Sequence, residues 1–193
     1  YRWDLIDYLN QNYKFKNYLE IGCNDDELFS KINISNKIGV DPEKGGNLKM
    51  TSDEFFKNNK QKFDIIFVDG LHIYDQVKRD IKNSLNSLTS NGFVLAHDCL
   101  PRSLSAQAVP RFRNIWNGDV WKAIVDLRMS PEIEIFTCLA DQGIAIIQNK
   151  SNTDILRLDK KISDLKFQDY FYNYKKFMRP ISFSEFKKKY QIK

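Results

Sequence analysis

Two hydrophobic spacings alternate along the chain. Short continuous apolar runs mark strands buried on both faces, and apolar residues three or four apart mark amphipathic helices. Residues 1–10 (YRWDLIDYLN) place Trp3, Ile6 and Leu9 on one side of a helix. Residues 18–22 read as a short strand ending in Gly22, and 26–32 as a short helix. Residues 37–41 form a second strand, stopped by Pro42, Gly45 and Gly46. Residues 48–51 suit a very short third strand, after which Ser52 or Asp53 caps a helix carrying Phe55 and Phe56. Residues 63–68 (FDIIFV) are the clearest buried strand. The period then changes: Tyr74, Val77, Ile81, Leu85 and Leu88 trace one helix face, closed by Ser90, Asn91 and Gly92. A strand over 93–96 and a helix over 119–127 follow. Strands over 133–139 and 143–148 are joined by a turn at Ala140, Asp141, Gln142 and Gly143, and from residue 151 the chain reads as helical.

Repeated strand–helix units imply an α/β fold, a mostly parallel sheet with helices on both faces. The last two strands must be antiparallel, because so short a turn cannot make a crossover. In such sheets ligands bind beyond the carboxyl ends of the strands. Five polar groups fall on that edge: residues 20–22, Asp41, Ser52 with Asp53, residues 69–72, and His97 with Asp98. The chain has only two histidines, His72 and His97, and both sit there beside aspartates.

Composition narrows the class. With 193 residues, 42% of them hydrophobic, and 14 Phe and 9 Tyr, the chain is long and apolar enough for one domain with a real core. No apolar run is long enough to span a membrane, and the first residues read as an amphipathic helix rather than a signal peptide. The three cysteines, Cys23, Cys99 and Cys138, are odd in number, far apart and free of any C-x-x-C pair. They support neither a zinc site nor a disulfide framework, so a reducing cytoplasm is the expected compartment. The net charge of +5 gathers late, around residues 174–176 and 186–190. A basic, aromatic tail suits nucleic acid or an anionic membrane surface. The preferred reading is a solvated lysine face, with Phe177, Phe183 and Phe186 packing inward.

The stretches YLEIG, KIGVD, FDIIFVDGLHIYDQVKRDI and NGFVLAHDCLP together resemble the class I S-adenosylmethionine-dependent methyltransferases, in particular a bacterial group with a D-G-x-H-x-Y motif. The resemblance covers about residues 15–150. It implies a Rossmann-like, seven-stranded, mostly parallel sheet in the order 3-2-1-4-5-7-6. Residues 1–150 would be the S-adenosylmethionine-binding domain, with its N-terminal helix, and 151–193 a helical extension of it. It also implies S-adenosyl-L-methionine as cofactor and a small-molecule acceptor. Gly22 would let the ligand approach the backbone, and Cys23 and Asn24 would line the methionyl end. Here Asn24 stands where a further glycine is frequent in the family. Asp41, beside Pro42, would take the ribose hydroxyls. Thr51, Ser52 and Asp53 would lie near the adenine. Glu20, Asp69 and Gly70 would border the ammonium and sulfonium. A nicotinamide enzyme is disfavoured, since G-x-G-x-x-G is absent.

A hydroxyl acceptor must lose a proton, which suits a histidine, so His72, His97 and Asp98 are the candidate catalytic residues. The chain also resembles the metal-dependent catechol O-methyltransferases. On that likeness Asp69 and Asp98 fall on metal-ligand positions, Cys99 on an asparagine ligand and His72 on a lysine base. The cysteine disfavours a hard cation while His97 would favour a softer metal, so a divalent metal is compatible with the site but not expected. The resulting expectation is O-methylation of a small hydroxylated metabolite or sugar. The alternatives are a nucleic-acid methyltransferase and a non-catalytic cofactor-binding module. Nucleic acid is disfavoured because no N-P-P-Y-like signature follows the fourth strand. No membrane partner is expected, and a homodimer is compatible with the sequence.

Overall fold

The computed structural model describes residues 1–192. One seven-stranded sheet runs through it, in the order β2-β1-β3-β4-β6-β5-β7. Helix α1 (Arg2–Tyr13) leads into β1 (Asn17–Ile21), which pairs in parallel with β2 (Asn36–Val40) and β3 (Phe63–Val68). Helix α2 (Ser52–Asn58) precedes β3, and α3 (Tyr74–Asn86) joins β3 to the parallel β4 (Leu88–Ala96). Helix α4 (Val120–Leu127) follows a long loop. Strands β5 (Ile133–Cys138) and β6 (Ile144–Asn149) form the antiparallel hairpin, with β6 against β4. Helix α5 (Phe167–Met178), the two-residue β7 (Pro180–Ile181) and α6 (Phe183–Tyr190) complete the chain.

The six main strands follow the expected order. The expected strand over 48–51 is reduced to a single bridge, Val40 to Leu48, because at this edge Leu48 and Met50 are only partly buried while Lys49 and Thr51 are exposed. The seventh strand instead comes from the C-terminal segment, where β7 pairs in parallel with β5. The expected helix over 26–32 is only a single 3₁₀ turn, Phe29–Lys31. Strand β4 begins at Leu88, earlier than the apolar run suggested.

The sheet separates two apolar layers. Ile66, Val68, Val94 and Ala96 face α3 and α4, while Ile65, Phe67, Phe93 and Leu95 face α1 and α6. Complete burial of each such side chain contributes about 1.5–3 kcal/mol. Phe177 and Phe186 are buried and Phe183 packs at the edge, so the late lysines stay outside. Arg128, the buried C-cap of α4, binds the carbonyls of Lys176 and Phe177 and the Asp154 carboxylate, which fastens residues 154–178 to the domain. Among the described residues no helix is long and apolar enough to cross a membrane.

Candidate functional site

Register creates the site. Ile21 pairs with both Val40 and Val68, and Val68 pairs with Ala96, so four strands end level. The next residues, Gly22, Asp41, Asp69 and His97, therefore stand in a row. Gly22 has φ +85°, and a Cβ there would lie 2.6 Å from the Asp69 carbonyl carbon and 2.7 Å from Gly70 Cα. Only glycine lets the β1 and β3 loops close together. Asn24 turns left-handed at φ +47°, a conformation asparagine tolerates. Its N–H donates to Asp41 Oδ2 at 2.9 Å. The N–H groups of Glu43 and Lys44 donate to Asp41 Oδ1 at 2.9 and 2.8 Å. One carboxylate thus shapes two loops.

Beside it opens a cavity of about 510 Å³, bordered by Gly22, Asn24, Asp41 and Pro42 on one side and by residues 51–53 on the other. That size suits a small ligand or cofactor. Thr51 caps α2 through Glu54, so its hydroxyl is committed. Asp53 is held by Arg79 at 2.9 and 3.1 Å. Gln76, also on the wall, donates to Ser52 Oγ at 3.1 Å and Asp80 Oδ1 at 3.0 Å. Burial pushes the Asp80 carboxyl up to about 6. Sequence reasoning missed Gln76; its one signal was its place in the first turn of the helix after the D-G-x-H-x-Y stretch.

A second cavity of about 520 Å³ shares Gly22, Asn24, Asp69 and Gly70 with the first and continues to Glu20, His72, His97 and Asp98. Glu20 is buried and accepts a 2.5 Å hydrogen bond from Tyr18. Burial pushes Glu20 up to about 8; the Tyr18 bond opposes this and Asp69 adds to it. Cys23 also lines the cavity, but its thiol turns toward the Glu20 carbonyl and leaves mainly backbone to face a ligand.

Both histidines converge on Asp69, whose Oδ1 lies 3.1 Å from His72 Nε2 and 3.1 Å from His97 Nδ1. The other nitrogen of His72 faces the Trp116 carbonyl at 3.1 Å and Asp98 Oδ2 at 3.2 Å. His97 Nε2 has no hydrogen-bond partner and faces Asp141 Oδ2 at 3.7 Å. Each ring therefore has an acceptor or carboxylate on both sides, which favours the doubly protonated form. Burial would lower His72, but the Asp69 bond and the Asp69 and Asp98 charges hold it above its ordinary value. The same contest leaves His97 well above, with Asp69, Asp141 and Asp98 outweighing burial. Burial would raise Asp69, yet the two imidazoles hold it well below the usual carboxylate range.

Sequence reasoning missed the partners of this cluster. Arg2, on the first turn of α1, contacts Asp69 Oδ2 at 2.9 Å and Asp141 Oδ2 at 3.1 Å. Three carboxylates, Asp69, Asp98 and Asp141, thus meet three cationic groups. Asn117 donates to Asp98 at 2.7 Å, and Trp116 stacks on His72 with ring centroids 5.2 Å apart. Both come from the loop before α4, which has no hydrophobic period to read.

Asp69, His72 and Asp98 each offer a ligand atom, all within 4.8 Å of one another. Cys99 is fully buried with its thiol toward the Ala96 and His97 carbonyls, so it adds no ligand. Within this set Arg2 offsets the charge of Asp69 alone, through Oδ2.

Residues 42–99 match a family model described as a methyltransferase domain, under a third of the chain. No curated protein matches. Among solved structures, a methyltransferase from Podospora anserina bound to S-adenosylhomocysteine is 20% identical, with a TM-score of 0.57 over 77% of each chain. An O-methyltransferase from Bacillus cereus, in complex with the same compound, is 11% identical, with a TM-score of 0.52 over 76% of this chain and 78% of that one. The O-methyltransferase TomG from Streptomyces achromogenes, in complex with S-adenosylmethionine, is 12% identical, with a TM-score of 0.52 over 76% and 77%. The chain has the class I methyltransferase fold.

Proposed function

We propose that the protein transfers a methyl group from S-adenosylmethionine to a hydroxyl of a small acceptor. The observation that carries this reading is the pair of cavities meeting at Gly22, Asp69 and Gly70, one walled by Asp41 and the other by two histidines. When bound, S-adenosylmethionine supplies an electrophilic methyl group: the acceptor oxygen forms the new C–O bond as the S–C bond breaks, and the electron pair stays on sulfur.

The chain's own residues bind, orient and take up the proton. Three N–H bonds leave the Asp41 carboxylate about one of its four lone-pair sites for a ribose hydroxyl. Ser52 and Gln76, the latter held from behind by Asp80, present polar atoms for the adenine end. Glu20 ionises to face the ligand ammonium. Asp98, fixed by Asn117, orients the acceptor hydroxyl, and His72 in its neutral form accepts its proton. His97 keeps Asp69 ionised. Incubation with methyl-labelled S-adenosylmethionine and a panel of sugars, phenols and hydroxy acids tests the reading. Label should pass to at least one hydroxyl acceptor, with S-adenosylhomocysteine formed in equal amount. Transfer only to nucleic acid, or none despite cofactor binding, would refute it.

A further inference from the structure

A third cavity, of about 480 Å³, lies between the β5–β6 hairpin and α5. Its walls carry the Tyr170, Phe171 and Tyr174 rings, Pro101 and the Arg102 side chain. Two observations connect it to the cluster of histidines. Gln142 lines both this cavity and the one that holds His72. Its Oε1 also lies 3.4 Å from Asn117 Nδ2, the group that holds Asp98. Gln142, in the hairpin turn, is thus the residue at which the two linings meet.

The lining has a definite chemistry. Phe171 is 60% exposed although it sits in an aromatic row, with Phe167 and Tyr172 at centroid distances of 6.3 and 5.5 Å. Leu139, on the opposite rim, is 57% exposed. Arg102 is exposed and has no ion-pair or hydrogen-bond partner among the described residues. The carboxylate on this wall, Asp141, is already matched by Arg2 and His97 and does not cancel the Arg102 charge. A flat ring laid on the tyrosine and phenylalanine faces, with an anionic substituent toward Arg102, would complement all of these groups.

We propose that this cavity is the distal half of the acceptor site, which takes a six-membered ring bearing a phosphate or carboxylate, joined past Gln142 to the unit that is methylated. The assignment to the acceptor rests on the methyl-transfer reading; the binding of such a ring does not. The acceptor would therefore be an elongated, anionic molecule of at least two units. Both aryl acids and sugar phosphates share this chemistry.

The test titrates the full chain, alone and saturated with S-adenosylhomocysteine, with phenyl phosphate, glucose 6-phosphate and inorganic phosphate, followed by nuclear magnetic resonance. One ring-bearing probe should bind saturably, and more tightly than inorganic phosphate. Arg102→Ala and Phe171→Ala, both at exposed positions, should each weaken it about tenfold. Lys57→Ala, at an exposed position on α2 that lines none of the three cavities, should leave it unchanged. Preference for phenyl phosphate would identify an aryl acid, and preference for glucose 6-phosphate a sugar. Equal binding of inorganic phosphate, or insensitivity to Arg102→Ala and Phe171→Ala, would overturn the proposal. So would the absence of probe binding in a protein that still takes up S-adenosylhomocysteine, which separates this failure from failure of the cofactor reading.

Discussion

Replacing Asp41 should weaken both the fold and the cofactor site, by amounts that can be separated. The carboxylate accepts three backbone N–H bonds, at 2.8 to 2.9 Å, from Asn24, Glu43 and Lys44. A hydrogen bond to a charged group contributes about 1.5–3 kcal/mol. The three donors belong to exposed residues, so water takes over part of their bonding in the variant. The expected cost of Asp41→Ala is therefore about 2–4 kcal/mol rather than the full sum. For a chain of this length that lowers Tm by about 5–15 °C. The ribose contact adds one further charged hydrogen bond, so affinity for S-adenosylmethionine should fall roughly ten- to a hundredfold. Asp41→Asn keeps one acceptor oxygen and turns an amide NH₂ toward one of the donors, so it should lie between wild type and alanine in both measurements. Thermal melts without ligand read the first effect, and calorimetric titration well below Tm reads the second. An alanine variant with unchanged Tm would refute the two-loop role. One that melts early but binds with wild-type affinity would refute the ribose assignment.

Gly22→Ala should cost well over 2 kcal/mol, since an L residue at φ +85° is strained by about 1–2 kcal/mol and its Cβ meets backbone on the β3 loop. Gly70→Ala has its nearest neighbour at 3.4 Å and no left-handed φ, so its melt should stay close to wild type; equal losses would contradict the close-approach argument. The rate of methyl transfer should rise with pH to a midpoint above 6.5, because His72 is held above that ordinary value and only its neutral form takes a proton. Stability should run the other way: the charged His72 contributes fully below 6.5, and the contribution disappears as pH rises through the folded-state value. A His72→Gln variant that keeps full turnover and an unchanged pH profile would remove His72 as the base. A chelator should leave turnover unaltered, whereas loss restored by added divalent cation would place an ion among Asp69, His72 and Asp98.

The sheet was legible because its strands bury both faces. FDIIFV could be little else, and the 3.6-residue period of α3 was plain. Strand β7 was not legible, because two residues beginning with Pro180 carry no period and their pairing with β5 is a long-range contact. The strand expected over 48–51 failed for the opposite reason: Leu48 and Met50 gave it an apolar rhythm, but it lies outside β2 with Lys49 and Thr51 exposed. At the site, sequence reasoning reached the residues that end strands, since topology alone puts Glu20, Asp41, Asp69 and His97 on one edge. It did not reach Arg2, Gln76, Trp116, Asn117 or Asp141. Arg2 lies in a helix whose apolar stripe announces packing only. Trp116 and Asn117 lie in an irregular loop, and their distances to His72 and Asp98 are long-range facts that no local pattern encodes. The upward pull on both histidines was hidden as well, because it comes from carboxylates drawn from three separate loops.

Calorimetric titration of the unmodified chain with S-adenosylmethionine, with NAD as the competing ligand, tests the central claim most directly. The account predicts saturable one-to-one binding of S-adenosylmethionine, lost or strongly weakened in Asp41→Ala, and no binding of NAD. Failure to bind S-adenosylmethionine, or preferential binding of NAD, would contradict it.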